Sequence, residues 1–156
     1  MLKVAHIITR LDFGGAQGNT LYTAASLDPA RFDAVVIAGP GGLLESKAGK
    51  ARLLTARSLV REISPARDLA AFFELRALLL KLKPDIVHTH SSKAGILGRL
   101  AAAAAGVPVV VHTFHGFGFH PLQNFLKRGF YVLLEKFCAR LSHALIFVSR
   151  TNMETA

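Results

Sequence analysis

A chain of 156 residues, 51% of them apolar, has enough material for one packed domain and too little polar bias for a disordered segment. Its single cysteine, Cys138, excludes an internal disulfide, no uncharged apolar run reaches the length of a membrane span, and nothing resembles a secretion signal, so a cytoplasmic protein is expected. The net charge of +9 gathers late in the chain, where seven Lys or Arg between Ile86 and Arg150 face one acid, Glu135. Such a surface attracts nucleic acid, anionic lipid and phosphorylated ligands alike.

Residues 3–8, with Val4, Ile7 and Ile8, read as a first strand, and Leu11–Asp12–Phe13–Gly14–Gly15 as the turn after it. A helix is expected over 16–27, stopped by Asp28–Pro29, then a second strand over 34–38 before the abrupt turn Gly39–Pro40–Gly41–Gly42. A short helix over 43–49 and a weaker third strand over 58–63 come next. Ser64–Pro65 is a helix start, with Leu69, Phe72, Phe73, Leu79 and Leu80 as the inner face of a helix running to Leu82. Beyond Pro84–Asp85 the pattern gives a fourth strand over 86–88, a small-residue helix over 94–105, and a fifth strand over 109–114. A long helix over 122–141 and a sixth strand over 144–148 follow. Strands apolar on both faces, alternating with helices, indicate α/β class: a Rossmann-like, doubly wound parallel sheet. A sheet of this kind that stops just after its sixth strand is expected to have a partner domain downstream.

Ligands of open parallel sheets bind at the carboxyl ends of the strands, and three strand ends here carry suitable groups. After the first strand, Gly14–Gly15–Ala16–Gln17–Gly18 offers backbone N–H groups to an anion, or is simply a flexible loop. Its spacing is not that of a dinucleotide fingerprint, and no P-loop lysine follows. After the fourth strand come Ser91, Ser92 and Lys93, able to hold a phosphate or sugar hydroxyl, or to act as a helix cap with a solvated lysine. After the fifth comes His115, a general base, a phosphate-contacting donor, or a turn histidine packed beneath the next loop.

His88, His90, His112 and His115 have spacings that zinc uses, but no carboxylate lies between Ile86 and Leu134, so no metal is expected. Period two puts His88 and His90 on one side of their strand, separates His112 from His115, and leaves some of the four as interior histidines bonded to backbone. Leu122, Phe125, Leu126, Phe130, Leu133, Phe137 and Leu141 form one face of the long helix, which core packing explains. Phe117, Phe119, Lys127 and Arg128 suggest an interfacial membrane patch. No RNA-binding motif accompanies the aromatics, so nucleic acid is not the expected partner.

Taken in order, Gly14–Gly15–Ala16, the run Leu59 to Pro65, Pro84–Asp85–Ile86–Val87–His88–Thr89–His90–Ser91–Ser92–Lys93–Ala94–Gly95 and His112–Thr113–Phe114–His115–Gly116 resemble the amino-terminal domain of family-4, group 1 glycosyltransferases. The resemblance spans essentially all of residues 1–156 and implies one half of a GT-B architecture, two Rossmann-like domains facing across a cleft. It assigns Gly14 and Gly15 to the donor diphosphate, His115 to the reacting centre, and Arg61, Glu62, His90, Ser91, Ser92 and Lys93 to the acceptor side. It further implies transfer with retention, no metal and no bound cofactor, a nucleotide-sugar co-substrate, and a lipid-linked or saccharide acceptor. Contact with the inner face of the plasma membrane would fit such an acceptor. The family's second domain, with its paired-glutamate motif and nucleotide site, is not among these residues, so 1–156 alone is expected to be inactive. Two alternatives stand beside this: a non-enzymatic module binding anionic lipid or a partner chain, and half of a nucleotide-sugar epimerase.

Overall fold

Val4, Ala5, Ile7 and Ile8 are all buried although they alternate between the two faces of the first strand, the pattern of a strand covered on both sides. The computed structural model describes residues 1–47, 52–116 and 125–155. Six strands, β1 (Leu2–Arg10), β2 (Phe32–Gly39), β3 (Arg52–Thr55), β4 (Ile86–His90), β5 (Val109–Phe114) and β6 (Ala144–Phe147), form one sheet of order β3-β2-β1-β4-β5-β6. All pairings are parallel. The helices are α1 (Gly15–Ser26), α2 (Pro65–Leu82), α3 (Ser92–Ala104), α4 (Phe125–Ala139) and the short α5 (Arg150–Thr155). The doubly wound, Rossmann-like sheet expected from the sequence is therefore present.

The core has two layers. Ala5, Ile7, Val35, Ile37, Val87 and Val110 meet Leu75, Leu79, Ala94, Ala101 and Ala102 of α2 and α3. On the other face Ile8, Val36 and Ala38 meet Leu21 and Ala24 of α1. Fully burying one such Leu, Ile or Val stabilises the fold by about 1.5–3 kcal/mol. Two helix ends are closed by left-handed residues: Lys83 (φ 48°) donates its N–H to Leu79 O, and Gly106 (φ 70°) follows α3. Pro84 then keeps α2 from continuing.

Four expectations need correction. The third strand is Arg52–Thr55, not 58–63. Leu53 and Leu54 pack on opposite faces of the sheet edge, whereas the chain after Thr55 turns away, with Leu59 N–H donating to Ala56 O at 3.1 Å. Arg57 and Ser58 both donate backbone N–H to the Glu74 carboxylate, so the loop is held by α2 even though Leu59 is buried. The helix over 43–49 is a three-residue 3-10 turn, Glu45–Lys47, as far as the described residues extend. On α2 the buried positions are Ala71, Leu75, Leu79 and Leu82, while Leu69, Phe73 and Leu80 are exposed. Small Ala71 lets α2 approach the alanines of α3, and that contact sets the helix rotation.

The fourth correction is the face of α4. Phe125, Phe130, Leu133 and Phe137 point to solvent, and the buried positions are Cys138 and, nearly so, Glu135. The Arg99 side chain, 0% exposed, donates to Glu135 Oε2 at 2.5 Å, so α4 docks through its Glu135 and Cys138 side while its aromatic stripe faces outward. Of the patch read from the sequence, Arg128 is exposed on α4, while Phe117, Phe119 and the Lys127 side chain lie outside the described residues.

Candidate active site

The strand order reverses between β1 and β4, and this switch point is where a crevice opens at the carboxyl edge of such a sheet. A cavity of about 410 Å³ lies there, lined by Thr9, Arg10, Asp12, Phe13, Gln17, Arg61, Ser91 and Lys93, with Ile8 at its floor. The amino ends of α1 and α3 both begin at this edge, directly after β1 and β4. Gly14 and Gly15 sit at the start of α1; a Cβ on Gly15 would meet nothing within 4 Å, and one on Gly14 would meet only the Gln17 side chain. Their service is open space above the helix end rather than an unusual backbone conformation.

Ser91 has a positive φ of 62°, costly for a residue with a Cβ, and its Oγ lies 2.8 Å from Thr9 Oγ1. Thr9 Oγ1 in turn accepts the Ala94 N–H, so β1 holds the β4–α3 corner in this conformation. Lys93 is not a solvated lysine. Its Nζ pairs with Asp68 at 2.5 Å and donates to the Glu62 carbonyl, tying the loop of Arg61 and Glu62 to the rim of the cavity. Arg10 pairs with Asp12 at 2.9 Å. Arg61 is exposed and, among the described residues, has no ion-pair partner. Glu62 is likewise exposed, and Ser92 begins α3.

Beside the cavity is a histidine cluster. His6 of β1 stands opposite His88 of β4 in the sheet register, and His90 follows two residues on, on the same face. His6 Nδ1 lies 3.2 Å from His90 Nε2, and His90 Nδ1 lies 3.3 Å from His115 Nε2. The His88 ring lies against His90 with centroids 4.1 Å apart, and its Nε2 is 2.7 Å from Thr113 Oγ1. His112 is on the opposite face, 2.9 Å from Thr89 Oγ1, with α3 so close that a Cβ on Gly95 would lie 2.5 Å from its Cε1. The expectation that some of these rings bond to backbone is thus replaced by side-chain partners for His88, His90 and His112.

Burial, helped by the charge of His88, pushes His6 down to about 3. Burial, with His115 second, lowers His88 to about 4; burial, with Arg99 second, lowers His112 to about 3. Burial also lowers His90 and His115. At neutral pH all five are uncharged. One nitrogen from each of His6, His88 and His90 lies within 4.8 Å of the others, a spacing that divalent metals use. Both nitrogens of His90 are engaged by His6 and His115, however, and no acid between Ile86 and Leu134 would offset a dication. The cluster is built as a hydrogen-bonded chain.

The structure thus gathers Arg61, Ser91 and Lys93 around one cavity, and buries His90 behind His115. The sequence reading missed His6, Thr9, Gln17 and Asp68. His6 carries a signal only once β1 and β4 are known to be neighbours, since register alone brings it to His88.

The Glycosyl transferase 4-like domain family matches residues 14–156. An Escherichia coli UDP-Gal:alpha-D-GlcNAc-diphosphoundecaprenol alpha-1,3-galactosyltransferase is 38% identical over 154 residues, covering 98% of this chain and 40% of that protein. The chain therefore spans about two fifths of this relative's length. Among solved structures, Acinetobacter baumannii MurG superposes with a TM-score of 0.70 at 17% identity, over 97% of this chain and 42% of the other. Sucrose-phosphate synthase from Thermosynechococcus elongatus gives 0.70 at 16% identity, over 99% and 44%. UDP-N-acetylglucosamine 2-epimerase from Rickettsia bellii gives 0.67 at 14%, over 97% and 40%. At these identities the structural likenesses establish the fold, and the family match over residues 14–156 establishes the membership: this chain belongs to the Glycosyl transferase 4-like domain family.

Proposed function

We propose that residues 1–156 form the acceptor-side half of a GT-B glycosyltransferase that moves a sugar from a nucleotide-sugar to a diphosphate-linked lipid saccharide with retention. The observation that carries this is the cavity at the β1/β4 switch point, where Arg61 is exposed and unpaired among the described residues, beside Ser91 and two helix amino ends. That is an anion site, and a diphosphate is the anionic group of the acceptor named for the 38% identical relative. Gly14 and Gly15 leave room for the donor diphosphate above α1. His115 stands at the reacting centre, and His90, Ser92 and Glu62 support the acceptor side through His115, α3 and the Lys93 contact. The donor's nucleotide is held by residues outside 1–156, so this half alone does not turn over.

The outward stripe of α4 gives the lipid a place to be met. Phe125, Phe130, Leu133 and Phe137 fall within an arc of about 140° at 100° per residue, with Arg128 and Lys136 exposed on the same helix. Among the described residues no helix is long and apolar enough to cross a membrane, and this surface suits peripheral contact with anionic lipid. The test is nucleotide release by the intact protein, with UDP-sugars as donors and a diphosphate-linked lipid GlcNAc as acceptor. Release that depends on the acceptor supports the proposal. Interconversion of nucleotide-sugars without acceptor would mark an epimerase, and acceptor binding with no release under any donor would mark a binding module.

A further inference from the structure

The three imidazoles of His6, His90 and His115 are joined nitrogen to nitrogen, from the interior of the sheet to the half-buried carboxyl end of β5. A neutral imidazole has one N–H and one bare nitrogen, so each ring can donate once and accept once. Such a chain has only two consistent settings. In one, His6 Nδ1–H donates to His90 Nε2 and His90 Nδ1–H donates to His115 Nε2, leaving His115 with its proton on Nδ1. In the other, His115 Nε2–H donates to His90 Nδ1 and His90 Nε2–H donates to His6 Nδ1, leaving His115 Nδ1 bare. All three rings share one tautomer in either case.

The buried end selects between them. His6 is 1% exposed, and its Nε2 has no hydrogen-bond partner among the described residues. In the second setting that atom is a buried N–H without an acceptor, the rarer and costlier kind of orphan. In the first it is only an unused lone pair. We infer that His6 and His90 are positioning residues that lock His115 in the Nδ1–H tautomer, so that His115 meets its ligand as a hydrogen-bond donor and not as a general base. His88, its ring tilted against His90 with centroids 4.1 Å apart and bonded to Thr113, holds the middle ring in place. A donor at this place suits a phosphate or sugar oxygen that gains negative charge during transfer. The catalytic consequence rests on the function proposed above; the tautomer itself does not.

The experiment is a long-range ¹H–¹⁵N correlation spectrum of the intact protein labelled with ¹⁵N-histidine, at pH 7.5, with acceptor-dependent transfer measured on the same samples. Wild-type protein is expected to show His6, His90 and His115 all protonated at Nδ1. His6→Asn keeps an amide N–H able to donate to His90 Nε2 and should retain that tautomer and most of kcat. His6→Asp offers only acceptor oxygens, so it should invert His90 and His115 to Nε2–H. The inversion should lower kcat by about a hundredfold, the scale for losing one donor to developing charge, with little change in acceptor KM. An Nε2–H signal for His115 in wild-type protein overturns the inference, and so does an Asp variant that folds, inverts the tautomer and keeps wild-type kcat. Should the Asp variant fail to fold, the wild-type spectrum alone decides. Absence of transfer in all samples with the expected tautomers would count against the proposed function and leave the histidine chain standing.

Discussion

Glu135→Leu is the substitution whose cost follows most directly from the packing. Arg99 is fully buried, with Nε donating to Gly95 O at 2.7 Å, Nη2 donating to Glu135 at 2.5 Å, and Nη1 already without a partner among the described residues. Removing Glu135 leaves a guanidinium in the interior with one good hydrogen bond and no counter-charge. Breaking a buried pair in this way costs about 3–5 kcal/mol. At about 2–4 °C per kcal/mol for a domain of this size, the melting temperature should fall by roughly 6–20 °C. The double variant Arg99→Met/Glu135→Leu removes both charges while keeping apolar volume, so it should recover most of the loss or exceed wild type. Far-UV circular dichroism against temperature gives the three melting points, and a double-mutant cycle gives the coupling. Cys138, buried on the inner side of α4, adds a local reading, because its thiol should react faster with a disulfide reagent when α4 loosens. A Glu135→Leu protein that loses less than about 1 kcal/mol, with Cys138 still protected, would refute the claim that this pair docks α4.

Gly95→Ala should cost about 1–3 kcal/mol by overpacking, since its Cβ would stand 2.5 Å from the His112 ring; urea unfolding with an unchanged midpoint would contradict that contact. Acid should weaken the fold from pH 6.5 downward. His6 and His112 are held at about 3 in the folded chain, so the unfolded state binds more protons below its own value near 6.5. Stability is full above pH 6.5 and falls toward pH 3 by about 3 kcal/mol per pH unit for the pair, which denaturant titrations at pH 7.5 and 5.5 measure; equal midpoints would contradict it. Arg61→Ala should raise acceptor KM about tenfold with no change in melting temperature, whereas Lys93→Ala should lower the melting temperature because it frees the loop of Glu62 from α3.

What the sequence disclosed depended on whether the signal was local. Strand cores such as Val35, Val36 and Ile37 read as parallel strands because burial on both faces leaves them apolar throughout. Pro84 and Gly106 marked helix ends through backbone chemistry that needs no tertiary context. Rotation of a helix is different. Leu69, Phe73 and Leu80 are as apolar as Leu75 and Leu79, and only the fit of Ala71 against α3 decides which set turns inward. The outward face of α4 was illegible for a related reason, since the helix docks through the long-range contact of Glu135 with Arg99, which the helix's own pattern does not show. At the site, His115, Ser91 and Lys93 were visible as strand-end residues. His6 was hidden in mid-strand, where its partnership with His90 exists only through β1–β4 pairing.

The division of charge around the cavity follows from the same burial. Imidazole is the ordinary source of switchable positive charge near neutrality, but burial holds all five of these histidines uncharged at neutral pH. Positive potential at the cleft therefore comes from fixed cations and helix ends. Two of the three cations lining the cavity are occupied, Arg10 by Asp12 and Lys93 by Asp68, and both pairs serve to shape its rim. That leaves Arg61 as the lining cation able to pair with an incoming anion without first giving up another partner. It also sits on the loop that Lys93 anchors through Glu62. An anionic ligand drawn to Arg61 would thus be held against a corner that β1, α2 and α3 make rigid.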